Sequence, residues 1–199
     1  MTSFLLVHGG SRDENVWAPI VPILQANGSS VATPSLPDSA ASTFEEHVSV
    51  VVTALREEPE PVTLVGHSYG GLVMTVAAAR TPTAVVRMIY LDTAYPLPGR
   101  SLFDLISEAG ADPVADFGLD SDPPFTTALS YDEEPWLAIP KIYVRAVHSE
   151  FGVVSEATCN LVREHADDAN WTIREIDARH NVMQDRPLAT AQLLLEAAN

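Results

Sequence analysis

Gly66-His67-Ser68-Tyr69-Gly70 stands where an apolar run, Pro61 to Val65, meets a second apolar run that opens at Ser68. The first run reads as a buried strand and the second as a helix. The five residues between them match G-x-S-x-G, the nucleophile elbow. A serine on so tight a strand-to-helix turn projects its hydroxyl beyond the strand's C-terminal end, and glycines two residues either side relieve the crowding this turn creates. Ser68 is therefore the candidate nucleophile. A five-residue pattern with three fixed positions arises by chance in many chains, so its specificity comes from its surroundings.

Those surroundings begin with Ser3 to Val7, a short buried strand followed at once by His8-Gly9-Gly10. A His-Gly-Gly turn supplies backbone N–H groups. In acyl transfer a carbonyl oxygen becomes an oxyanion, and each donor already aimed at it removes roughly 3 to 4 kcal/mol from the barrier. One donor is assigned to Gly10 and the other to Tyr69, the residue after the nucleophile. Near the C-terminus a strand, Trp171 to Ile176, runs into Asp177-Ala178-Arg179-His180 and then a helix. A serine hydroxyl is a weak nucleophile near neutral pH and needs a base, and histidine has the unperturbed pKa closest to the task. His180 is the expected base. His67 and His8 occupy motif positions that more often orient backbone, while His47, His148 and His165 belong to no motif.

With these segments in hand the chain resembles an α/β-hydrolase, and most of all the branch of small esterases related to plant methylesterases and hydroxynitrile lyases. The matching segments are HGGSRDENVWAPIVPILQANG, PVTLVGHSYGGLVMTVAAA, RMIYLDTAYP, IPKIYVRAV and IDARHNVMQDRP, which follow the family's order over most of the chain. The resemblance implies a minimal version of that fold and acyl-transfer or lyase chemistry around Ser68 and His180. It also implies a cap over the site, matching the Asp-, Pro-, Ser- and Phe-rich stretch from Gly99 to Trp136, which is short beside the plant relatives. Phe103, Leu105, Phe117, Phe125, Leu129 and Trp136 are candidates to line the pocket beneath it.

The third member of the site departs from the family. Alignment through Lys141-Ile142-Tyr143-Val144 puts Ser149 where relatives carry an aspartate. Two carboxylates remain: Asp92, at the end of the strand Val85 to Leu91, and Glu150, adjacent to the vacated position. A third outcome is that neither serves. The lyases carry a threonine where Gly9 stands and a lysine where Asn181 stands, so the resemblance favours ester hydrolysis over cyanohydrin cleavage. Arg179 replaces a glycine that often precedes the histidine in bacterial relatives; close to the ring it would disfavour imidazolium, and otherwise it points to solvent.

The rest of the chain alternates strand-like and helical runs. Asn15 to Gln25 has apolar residues at helical spacing, interrupted by Pro19 and Pro22; Ser29 to Thr33 is a strand; Ser42-Thr43-Phe44-Glu45 reads as a capping box opening a helix to about Glu58. Ile139 to Val147 is a strand and Val154 to Ala166 a helix. Such alternation predicts a parallel sheet of six strands with helices on both faces, in one domain over residues 1–199 with the insertion at about 99–136. An apolar fraction of 46% is ordinary for a soluble globular domain, and a net charge of −16 argues against nucleic acid and anionic membranes as partners. One cysteine, Cys159, excludes an internal disulfide and leaves no zinc-type ligand spacing. No secretory segment or membrane span is visible, which by default gives a cytoplasmic protein acting on a small-molecule ester or lactone, without metal or organic cofactor.

Overall fold

A computed structural model describes residues 2–166 and 170–198. In chain order the elements are β1 (Ser3–Val7), α1 (Val21–Ala26), β2 (Ser30–Ala32), α2 (Phe44–Glu57), β3 (Val62–His67), α3 (Tyr69–Arg80) and β4 (Val85–Leu91). Three short helices follow, α4 (Leu102–Glu108), α5 (Pro123–Thr126) and α6 (Glu133–Leu137), and then β5 (Lys141–Ala146), α7 (Gly152–Glu164), β6 (Trp171–Ile176), α8 (Val182–Asp185) and α9 (Pro187–Ala198). The six strands form one parallel sheet in the order β2-β1-β3-β4-β5-β6.

Strands covered on both faces must be apolar on both, and β3 is buried at all six of its residues. Successive side chains alternate between two cores. Leu5, Val7, Leu64 and Tyr90 pack with α2, α3 and α7 on one face; Phe4, Leu6, Val65 and Ile89 pack with α1, α8 and α9 on the other. The chain moves outward from β1 to β2 and then returns to place β3 on β1's other side. That reversal opens a crevice beyond the carboxyl ends of β1 and β3, where ligands bind in open α/β sheets. His8-Gly9-Gly10 and Ser68 both lie at this crevice.

Local chemistry explains where element boundaries differ from the sequence reading. The run from Asn15 to Gln25 is not one helix: a 3-10 turn, Glu14–Trp17, precedes α1, and Pro22 sits in the first turn of α1, where its missing N–H costs nothing. The capping box of α2 lies one residue later than expected. Thr43 accepts the Glu46 N–H at 3.2 Å and Glu46 returns a carboxylate to the Thr43 N–H at 2.7 Å. Ser42 is engaged elsewhere, donating its hydroxyl to the Asp38 carbonyl at 2.6 Å. The C-terminal helix is split, with α8 ending before Pro187 and α9 beginning on it. The insertion carries α4, α5 and α6, of which α4 begins on a Ser101–Asp104 capping box. Among the described residues no helix is long and apolar enough to cross a membrane.

Candidate active site

Ser68 caps α3 with φ 51° and ψ −126°, a left-handed backbone that costs a non-glycine residue about 1–3 kcal/mol. The surroundings hold it there. Its N–H donates to the Leu91 carbonyl at 3.1 Å, tying the elbow to the end of β4. A side chain on Gly70 would run into the carbonyl oxygens of Val7 and His8, and one on Gly66 would approach the Gly71 backbone to 2.8 Å. The two elbow glycines are thus required by close packing of β1, β3 and α3.

Asp92 follows β4 immediately, also with a left-handed backbone, φ 49°. Its carboxylate is fully buried and receives four hydrogen bonds. Oδ2 accepts from His180 Nδ1 at 2.7 Å and from the Ser149 hydroxyl; Oδ1 accepts from the Ser155 hydroxyl at 2.7 Å and the Ala146 N–H at 3.3 Å. Burial alone raises a carboxyl's pKa, but here the His180 bond and charge, with the two serine hydroxyls, outweigh it and hold Asp92 below the usual carboxylate range. An ionised acceptor at Nδ1 fixes the proton on that nitrogen. Nε2 of His180 is therefore left free to accept a proton.

The remaining bonds around His180 immobilise its backbone. Its N–H donates to Glu150 Oε2 at 3.2 Å, and its carbonyl accepts from His67 Nε2 at 2.9 Å. Glu150, the second candidate for the acid, thus meets main chain and not the imidazole. It also pairs with the Arg179 guanidinium at 2.5 Å, which turns that cation away toward the carboxylate. The Phe151 ring lies 5.2 Å from the His180 ring, centroid to centroid.

Ser68, His180, Gly9, Gly10 and Tyr69 line one cavity of about 730 Å³, together with Phe117 and Phe151. Tyr69 opens α3, so its N–H is one of those a helix leaves without an internal acceptor. His8 shapes the facing turn: its Nε2 accepts the Leu36 N–H at 3.0 Å, which leaves the proton on Nδ1 to be donated to the Gly9 carbonyl at 2.9 Å. Of the six pocket candidates, Phe117 lines this cavity and Phe125 a second one beside it. Leu105, Leu129 and Trp136 are buried in the core, and Phe103 packs against it, because the short cap must fill its own interior first. Phe151 and Ser155 carried no sequence signal, whereas Ser149 did, by standing at the vacated acid position. Among the described residues no three His, Cys, Asp or Glu side chains are grouped to hold a metal ion.

A model of the alpha/beta hydrolase family matches residues 4–193. The chain belongs to that family. Its sheet, elbow and insertion are the α/β-hydrolase fold with a short cap. Among relatives, the carbendazim hydrolyzing esterase of Nocardioides sp. (strain SG-4G) is 33% identical over 118 residues, 55% of this chain and 49% of that protein. Polyneuridine aldehyde esterase of Rauvolfia serpentina is 27% identical over 128 residues, 59% of this chain and 48% of that one. The matches thus span about half the length of these curated relatives. A crystal structure of polyneuridine aldehyde esterase superposes with a TM-score of 0.80 at 18% identity, covering 100% of each chain.

The bonding of His67 has a consequence for stability. Burial, then the neighbouring His180 charge, pushes its pKa down to about 3, so it is neutral in the folded protein while an unfolded histidine titrates at 6.5. Between these values the unfolded chain binds the extra proton, and stability falls as pH falls. The expected loss from His67 between pH 7 and pH 4.5 is about 2 to 3 kcal/mol. His8 and His47, also lowered by burial, act with the same sign. Asp92 shares the sign but not the window, since a depressed carboxyl loses its contribution only as pH falls below the ordinary range near 3.8. Denaturant melts from pH 7 to 4.5 test this: His67→Gln, which keeps a donor for the His180 carbonyl, is expected to show the shallower pH slope. Equal slopes would refute the assignment.

Proposed function

We propose that this protein is a serine hydrolase that cleaves a small or medium carboxylic ester or lactone through an acyl-enzyme. The observation that carries the reading is the buried Asp92 carboxylate on Nδ1 of His180, a histidine that lines one cavity with the elbow serine. The relatives named above as esterases support the same chemistry. His180 Nε2 takes the Ser68 hydroxyl proton as Oγ attacks the carbonyl carbon. The carbonyl oxygen becomes an oxyanion held by the N–H groups of Gly10 and Tyr69, and Asp92 stabilises the imidazolium. Collapse expels the alcohol, which takes the proton from His180. Water then repeats the sequence on the acyl-enzyme and frees Ser68. Side chains and backbone amides carry every step, so the mechanism invokes no metal or organic cofactor.

Cyanohydrin cleavage is the competing use of such a site, and Gly9 and Asn181 stand where the lyases carry threonine and lysine. A threonine at position 9 would add a Cβ 3.2 Å from Ser68 Cβ and 3.1 Å from His67 Nδ1, closer than ordinary packing. Short-chain p-nitrophenyl esters are expected to be hydrolysed in a Ser68-dependent manner, and mandelonitrile to release cyanide no faster than with Ser68→Ala. Ser68-dependent cyanide release without ester turnover would overturn the proposal.

A further inference from the structure

The chemistry above uses the Tyr69 amide and leaves its side chain unexplained. That side chain is buried, and its hydroxyl lies 2.8 Å from His47 Nδ1, while His47 Nε2 lies 2.7 Å from the Ser42 hydroxyl. The directions of these bonds follow from the last link. Ser42 donates to the Asp38 carbonyl, which only accepts, so the Ser42 oxygen must accept from His47 Nε2–H. His47 Nδ1 is then unprotonated, and the Tyr69 phenol must donate to it. Burial agrees with this neutral arrangement, pushing the His47 pKa down and the Tyr69 pKa up.

The ring is held as firmly as its end. Phe44 and His47 of α2 meet it edge-on at 6.2 and 5.7 Å between centroids, and Phe125 of the cap meets it at 5.0 Å. Phe125 also occupies the side-chain direction of Gly10, the other assigned residue, since a Cβ there would lie 2.6 Å from its Cε1. The two residues whose amides are assigned to the oxyanion thus both pack against one aromatic ring from α5, and Tyr69 is anchored to α2 through a hydrogen bond as well. Tyr69 is the first residue of α3. At that place the α-carbon is fixed on one side by the elbow and on the other by its own side chain.

We propose that His47 is a positioning residue for the oxyanion site: by accepting the Tyr69 phenol it sets the direction of the Tyr69 N–H. The inference rests on the proposed acyl-transfer reading and extends it to a residue that belongs to no motif. Donors act on a developing charge only when already aimed at it, so the loss should fall on the transition state and not on ground-state binding.

Three variants test this on a p-nitrophenyl ester. His47→Leu removes the acceptor, His47→Asn restores an oxygen close to the Nδ1 position, and Tyr69→Phe removes the donor and keeps the ring. Because complete loss of one oxyanion donor costs about 100- to 1000-fold in kcat, misaiming one is expected to cost about 10- to 30-fold, with KM within about twofold. His47→Leu and Tyr69→Phe should show this loss, their double variant should be no worse than either, and His47→Asn should recover most of it. Affinity for an arylboronic acid, which becomes tetrahedral on Ser68, should weaken by the same factor as kcat/KM. Melting curves separate folding defects, and if His47→Leu does not fold, Tyr69→Phe alone decides. Folded variants with wild-type kcat, a loss confined to KM, or equal losses in His47→Leu and His47→Asn would overturn the positioning role. A wild-type protein without Ser68-dependent turnover would instead overturn the hydrolase reading, and this inference with it.

Discussion

Asp92→Asn is expected to fold like the parent protein and to lose on the order of four decades in ester turnover. The amide keeps the shape of the carboxylate but cannot hold the proton on Nδ1 of His180, and it brings no charge to stabilise the imidazolium. The site tolerates the exchange because the amide oxygen can keep the Oδ1 place, where the Ala146 N–H and the Ser155 hydroxyl donate, while the NH2 group takes the Oδ2 place facing His180 Nδ1 and the Ser149 hydroxyl, which can rotate to accept. Glu150→Gln provides the contrast. Its partners are the His180 N–H and the exposed Arg179 guanidinium; the amide oxygen still accepts from the first, and an exposed ion pair is worth about 0–1 kcal/mol. Turnover should therefore fall by no more than about fivefold. Steady-state kinetics with thermal melting as a folding control decides the matter, and the reverse ranking would transfer the role to Glu150.

Ser68→Ala carries the larger effect: turnover is expected to drop by roughly 10⁶-fold, the scale seen when a triad nucleophile is removed. Its stability should stay near that of the parent, because alanine and serine meet the same strain at φ 51°. Substrate or product analogues should still bind, since Phe117, Phe151 and the oxyanion turn remain. Residual turnover within about a hundredfold of wild type would mean that the reaction runs without a covalent serine intermediate.

Much of this site is legible in the chain because its parts lie at strand ends. Ser3–Val7, Val85–Leu91 and Trp171–Ile176 are short runs rich in β-branched, aromatic and other apolar residues, broken by charge only at Arg87 in the second and at Arg174 and Glu175 in the third, and each delivers a site group in the next four residues. Asp92 could be named as a candidate from its place after β4, and so could Glu150 from its place beside Ser149. Choosing between them needed the fold. Nothing in sequence spacing shows that Ser149 and Ser155, from a loop and a helix more than fifty positions away, donate to one carboxylate. The pocket lining was hard to read for a related reason. A cap of three short helices has little interior, so Leu105, Leu129 and Trp136 are consumed by packing, and only some of its aromatics face a cavity. At Ser42-Thr43 both residues are good caps, and it was the competing claim of the nearby Asp38 carbonyl and His47 ring on the Ser42 hydroxyl that moved the helix start.

The central claim is that Ser68, activated by His180 and Asp92, forms a covalent bond to its substrate, and intact-protein mass measurement after exposure to a fluorophosphonate tests it most directly. The prediction is one adduct per wild-type chain, located on Ser68, formed much more slowly in Asp92→Asn and absent in Ser68→Ala. Folded wild-type protein that stays unlabelled, or labelling that persists unchanged in Ser68→Ala, would contradict it.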